Sequence, residues 1–202
     1  KVGVLHDSGY GQLVTNALKE QSSAYAVEYL AIEKFEVGAT DVSTQAAKVR
    51  AANPEVVFII ATNPIPFRNA RQMRIAQPIV SAIGSSAYQY VNGMGEFAHD
   101  IVFPEFVVGE DPLPHQAEFV NLYRKAYSAL PKNYEAAGWD AVHVLARALE
   151  KVGPDASPEA IAKAIREPYK GAFAAYNFAA PDMTGSDEPD LNARAAQYVG
   201  RV

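Results

Sequence analysis

The sequence predicts an α/β fold: a doubly wound parallel sheet, followed by extra helices that belong to an incomplete second layer. Three observations carry this. Short β-like runs alternate with helical patterns through the first half of the 202 residues. The run 56–61, Val-Val-Phe-Ile-Ile-Ala, is apolar throughout, as a strand covered on both faces of a parallel sheet requires. The second half holds three helical segments with no strand between them, so their apolar faces lack a sheet of their own.

Taken in order, residues 2–6 are apolar and β-branched, and Asp7-Ser8-Gly9-Tyr10-Gly11 breaks the run. Residues 12–21 have helical spacing, with Leu13, Ala17 and Leu18 on one side. Residues 26–32 read as the second strand. After the turn Gly38-Ala39-Thr40-Asp41, Asp41 or Ser43 can cap a helix reaching Asn53, where Pro54 stops it. The strand 56–61 leads into a rigid loop, Asn63-Pro64-Ile65-Pro66, then a helix over 67–76 and a strand over 78–83. Gly84-Ser85-Ser86 opens a short helix to about Val91, and 101–108 is a further strand. This β-α-β-α order implies right-handed crossovers. Residues 109–114 are rich in proline and acid and read as a linker. Helices are predicted over 114–129, 134–152 and 157–166, the last opening on Ser-Pro-Glu. Residues 172–179 are β-like and aromatic; the tail from Ser186 is polar, with a weak helical pattern over 191–199.

Eighteen Lys and Arg stand against 23 Asp and Glu, for a net charge of −5. A mildly acidic chain with no basic run argues against nucleic acid or anionic membrane as the main partner. The absence of cysteine removes disulfides, thiolate nucleophiles, iron–sulfur clusters and most zinc sites. No apolar run reaches the roughly 18 residues of a membrane span. Residues 1–6 are too short for the apolar core of a signal peptide, so the sequence is expected to start on a strand inside a fold.

Catalytic motifs are missing. The first turn has two glycines but neither of the phosphate-cradling spacings. No two of His6, His99, His115 and His143 share a helix face, so no metal site is expected. His6 is the one tempting general base, and a hydrogen-bonded turn histidine is its plainer role. Ser8, Ser85 and Ser86 lack a nucleophile-elbow pattern. Glu33/Glu36 and Glu110/Asp111 read as solvated surface. Instead, strand-end loops carry small, polar or aromatic residues: Tyr10 between two glycines, Asn63-Pro64-Ile65-Pro66, and Gly84-Ser85-Ser86. Open α/β sheets bind ligands at that edge, and a binding crevice has this composition. The plainer reading of Tyr10 is a turn residue packed on its own helix, and that of Trp139 is core.

The stretches "KVGVLHDSGYGQ", "FEVGATDVSTQAAKVRAANPEVVFIIAT", "RQMRIAQPIVSAIGSS", "AAGWDAVHVLARALEKVG" and "YNFAAPDMTG" resemble, in order and spacing, the type I periplasmic solute-binding proteins of ABC transporters, in the branched-chain amino-acid group. The resemblance implies two Rossmann-like lobes that clamp a small molecule, and no cofactor. It divides the chain into a ligand-binding lobe over 1–105, helices returning to the other lobe over 106–168, a crossover over 169–185 and a polar tail over 186–202. It further implies that the N-terminal part of the first lobe lies outside this sequence. Carried over by position, Tyr10, Asn63, Ser85, Ser86 and Tyr134 become ligand contacts. The family often has an acid for the ligand's amino group at about Ser86, where this chain has no carboxylate. An amino acid or a small aromatic or carboxylic acid is the implied ligand, an ABC permease the implied partner, and the periplasm the implied compartment. A ligand-sensing regulatory domain of the same fold is the alternative, and an α/β enzyme the third. The apolar faces around Phe119, Leu122, Val142, Leu145 and Leu149 are expected to be exposed in a monomer and to drive self-association or a rearrangement of the helices.

Overall fold

A computed structural model describes residues 1–176 and the backbone of 199–201. The chain divides into two units, Lys1–Pro104 with Val199–Val202, and Glu105–Tyr198.

In the first unit, β1 (Val2–Asp7), α1 (Tyr10–Gln21), β2 (Tyr29–Phe35), α2 (Ser43–Ala51), β3 (Val56–Ile60), α3 (Ile65–Gln72), β4 (Ile79–Val80), α4 (Tyr88–Met94) and β5 (Ile101–Pro104) follow one another. The five strands pair in parallel in the order β2-β1-β3-β4-β5. All six residues of β1 are buried, because it lies inside the sheet with both faces covered. The order reverses direction at β1, so the switch point, where crossovers diverge and leave a crevice, lies between β1 and β3. Leu5, Val49, Val57, Ile59, Phe67, Ile79 and Phe103 form the core, with the Phe67 and Phe103 rings 6.4 Å apart.

Several elements sit differently from the sequence reading: α3, expected over 67–76, spans Ile65–Gln72, and β5, expected over 101–108, ends at Pro104. The second strand starts at Tyr29 rather than at residue 26, because residues 22–26 fold into turns, with Ala26 at φ 52. The fourth strand ends at Val80, since Ile83–Ser85 winds into a 3₁₀ turn. At the end of the sequence, the segment Val199–Arg201 pairs antiparallel with β5. The remainder of the weak helix expected over 191–199 lies outside the described residues.

The second unit holds α5 (Ala117–Tyr127), α6 (Asn133–Val152), α7 (Pro158–Ile165) and a hairpin of β6 (Tyr169–Lys170) and β7 (Ala175–Tyr176). Pro114–Gln116 forms a separate 3₁₀ turn ahead of α5. Gln116 fixes it: its Oε1 accepts from Leu113 N–H, and its Nε2 donates to the carbonyls of Phe106 and Ala172. Ser128, left-handed at φ 54, ends α5. The Ser157 hydroxyl accepts from Ala160 N–H at the start of α7. Beyond Tyr176, the rest of the β-like run expected over 172–179 lies outside the described residues.

Val107, Phe119, Val120, Ala136 and Ala172 make the core of this unit, with Trp139 and Phe173 packed on it. Phe119 is therefore not on an exposed face as expected, because its ring packs on Trp139 at 5.4 Å. Leu122, Val142 and Leu145 are exposed. The α6 residue Asp140 is fully buried, and its carboxylate accepts from Ala172, Phe173 and Ala174 N–H and from the Tyr176 hydroxyl, at 2.7–3.2 Å. It latches the 171–176 hairpin to the middle of α6. No helix among the described residues is long and apolar enough to cross a membrane.

Candidate functional site

The carboxyl edge of the first unit's sheet brings together the loops after β1, β3 and β4. Asp7, the last residue of β1, is buried at 1% exposure. Its Oδ1 accepts from Gly9 and Gly11 N–H at 2.9 and 2.8 Å, and its Oδ2 from Thr62 N–H at 3.3 Å. One carboxylate thus shapes the first loop and ties it to the third-strand loop across the switch point. The acid two and four residues before the glycines is the turn signature that could have disclosed this role. Gly11 is needed where it stands, because a Cβ there would lie 2.3 Å from the Ile60 carbonyl oxygen.

Tyr10 joins the same loop to the one after β4. Its hydroxyl oxygen accepts from Gly84 N–H at 3.1 Å. A Cβ on Gly84 would come 2.5 Å from Tyr10 Cε1, so the glycine makes room for the ring. Burial foremost pushes the Tyr10 phenol above its ordinary range; the Gly84 hydrogen bond opposes this and the Asp7 charge adds to it. Tyr10 is therefore a neutral hydroxyl at physiological pH.

Asn63 stands on the β3–α3 loop, half-buried, and its Oδ1 accepts from Ile65 N–H at 3.0 Å. Ser85 and Ser86 are fully buried. Their hydroxyls donate to the main-chain carbonyls of Ala61 and Ile83, so both hold the loop in shape. Ser81 does likewise to the Ile59 carbonyl. On the far side, Ser8 Oγ donates to Glu36 and accepts from Val37 N–H, fastening the first loop to the end of β2. His6 is buried beside these loops, and its Nδ1 donates to the Asp7 carbonyl at 2.8 Å. Tyr134 belongs to the second unit, exposed in the first turn of α6.

The serine hydroxyls of the loop edge are engaged with the Ala61 and Ile83 carbonyls and with Glu36. Among the described residues no three His, Asp or Glu side chains are grouped for a metal ion. Of three hollows lined by described residues outside these loops, two are the larger. One, of about 440 Å³, lies at the entry to β4 beside Arg71, whose Nη1 donates to the carbonyls of Ile75 and Gln77. The other, of about 610 Å³, runs over α5 and α6 between Phe119, Leu122, Trp139 and Val142.

A family model described as periplasmic binding protein matches residues 2–197. The chain is 29% identical over 184 residues to "Leu/Ile/Val-binding protein homolog 1" of Brucella suis, an alignment covering 86% of this chain and 46% of that protein. A leucine binding protein, LivK, of Thermotoga maritima superposes with a TM-score of 0.77 at 26% identity, over 87% of this chain and 52% of the other. The branched-chain amino acid transporter substrate binding protein LivJ of Streptococcus pneumoniae, solved with isoleucine, superposes at 0.76 with 22% identity, over 90% and 53%, a likeness of fold. The chain spans about half the length of these relatives.

Proposed function

This chain belongs to the periplasmic binding protein family, and on that premise we propose that it serves as the extracytoplasmic substrate-binding component of an ABC importer, holding a small molecule without converting it. The observation that carries this is the loop edge at the β1/β3 switch point. Three loops there are locked together by Asp7 and Tyr10 around small, aromatic and amide side chains. Pre-ordered loops lose little entropy on binding, and the crevice outside the strand ends is where this sheet topology takes ligands. Tyr10 supplies a ring face and a hydroxyl, and Asn63 a carboxamide. Ser85 and Ser86 act by shaping the loop beside them. Tyr134 is proposed as a ligand contact on the resemblance alone. Delivery to a permease, residence in the periplasm and a ligand the size of an amino acid or small carboxylic acid are parts of the same reading.

The test is calorimetric titration of the polypeptide that the native gene encodes, using a panel of amino acids and small carboxylic acids. Tyr10→Ala is expected to weaken binding by about 1–3 kcal/mol, as loss of a buried aromatic anchor does. Equal affinity for both proteins would remove Tyr10 from the site. Turnover of any panel member would defeat the binding-only reading.

A further inference from the structure

The hollow of about 440 Å³ lies at the amino edge of the first unit's sheet, the edge opposite the loops after β1, β3 and β4. Residues 76–78 lead into β4 and residues 96–100 into β5, and Arg71 comes from the last turn of α3. The volume is that of a small-molecule pocket. The binding function proposed above makes no use of it.

Both signs of charge meet there. Arg71 Nη1 donates to the Ile75 and Gln77 carbonyls at 2.8 and 3.2 Å, which fixes the side chain. The Nε and Nη2 donors of the same fork make no hydrogen bond among the described residues. Burial pushes the guanidinium below its ordinary value, and the Asp100 charge opposes that. Asp100 thus acts on Arg71, and both side chains line the one hollow. Even so, the two form no ion pair, and the Asp100 carboxylate accepts no hydrogen bond among the described residues. They make an open pair, each member with hydrogen-bonding capacity unused. Glu96 and His99 are the other ionisable side chains of the lining, and the Phe97 ring and Pro78 give it apolar wall.

An open pair selects among ligands. A plain carboxylate on Arg71 gains one partner and meets the charges of Asp100 and Glu96. A plain ammonium on Asp100 meets the Arg71 charge. A carboxylate and an ammonium on one carbon satisfy both members at once, with charge-assisted hydrogen bonds at each end. The rest of such a molecule falls to Phe97 and Pro78, where an apolar or aromatic group packs.

We propose that this hollow is a second small-molecule site, one that takes an apolar α-amino acid as its zwitterion: carboxylate on the remaining Arg71 donors, ammonium on Asp100, side chain against Phe97. The inference stands on this hollow and not on the reading of the carboxyl edge.

The experiment follows the Arg71 Nε–H resonance by nuclear magnetic resonance in the polypeptide encoded by the native gene. The resonance is identified by its loss in Arg71→Lys. L-Phenylalanine is expected to shift it saturably, while 3-phenylpropanoate and 2-phenylethylamine, each lacking one of the two charges, are expected to act at least about tenfold more weakly. Asp100→Asn removes the anion alone, and asparagine tolerates the left-handed backbone of that position, at φ 59. The variant is expected to bind L-phenylalanine at least about tenfold more weakly at this resonance, with its thermal midpoint within about 2 °C of the native one. Equal affinity in the variant overturns the inference. So does a singly charged probe that matches the amino acid, a comparison made on the native protein and independent of how the variant folds. Absence of a saturable shift up to about 10 mM overturns it as well. Shifts confined to Tyr10 and its neighbours would leave the carboxyl-edge function standing and remove this site.

Discussion

Replacing Asp140 with asparagine tests the latch in the second unit, and its cost can be worked from the four donors. Oδ1 takes Ala172 N–H alone, while Oδ2 takes Phe173 N–H, Ala174 N–H and the Tyr176 hydroxyl. An amide can replace either oxygen by NH₂. Its better orientation sets NH₂ against the single donor from Ala172 and keeps the oxygen for the other three. That orientation loses one hydrogen bond to a charged acceptor, about 1.5–3 kcal/mol, and weakens three others by removing the charge. The expected destabilisation is about 3–5 kcal/mol. Tyr176→Phe removes one donor from a carboxylate that keeps three, so about 1–2 kcal/mol is expected. The chain has one tryptophan, Trp139, the neighbour of Asp140 on α6. Urea unfolding followed by its fluorescence therefore reads this unit. With a slope of about 2 kcal/mol per molar, the Asp140→Asn midpoint should fall by about 2 M. A fall under about 0.5 M, or equal shifts for the two variants, would refute the claim that the carboxylate organises the hairpin.

Other perturbations test the first unit and the titrating groups. Gly84→Ala puts a methyl where the Tyr10 ring lies; it is expected to cost about 1–3 kcal/mol and to weaken ligand binding along with stability, measured by thermal shift and titration together. Phe67→Ala empties a fully buried ring site facing Phe103 and should cost about 3–5 kcal/mol by chemical denaturation monitored by far-ultraviolet circular dichroism. The Tyr176 phenol is pushed far above its ordinary value, by burial first and then by the charge and hydrogen bond of Asp140. The folded state thus holds this proton more tightly than the unfolded chain, so the stability it confers is whole below about pH 10 and is lost as pH rises past that value. Urea midpoints taken between pH 8 and 11 should decline for the native chain and decline less for Tyr176→Phe; parallel curves would count against the assignment.

The parallel sheet was legible because its signals are local. An unbroken apolar run marked β3, and strand-end glycines and prolines marked the loops. The second strand was misplaced by three residues at its start because Ala26 and Val27 extend its apolar content, and nothing in the pattern shows Ala26 turning left-handed. The place of Tyr10 in the first strand-end loop was legible from its position between glycines, whereas the inward turn of Ser85 and Ser86 was not. Their acceptors, Ala61 and Ile83, are main-chain carbonyls, which composition does not mark. Asp140 was invisible for a related reason. A mid-helix aspartate reads as surface, and its donors stand 32 to 36 residues further along the chain.

The interlocking of the first and fourth loops bears on how this site can change over generations. Tyr10 and Gly84 exclude one another's alternatives: a larger residue at 84 needs a smaller one at 10, and Asp7 cannot be exchanged without releasing two loops at once. Such positions drift only in compensated pairs, and each single step passes through a weakened protein. Among the described residues Asn63 is tied to one neighbouring amide alone. New ligand preferences are thus expected to enter the lineage there first, and a laboratory library built on that one codon samples the step that selection finds easiest to take.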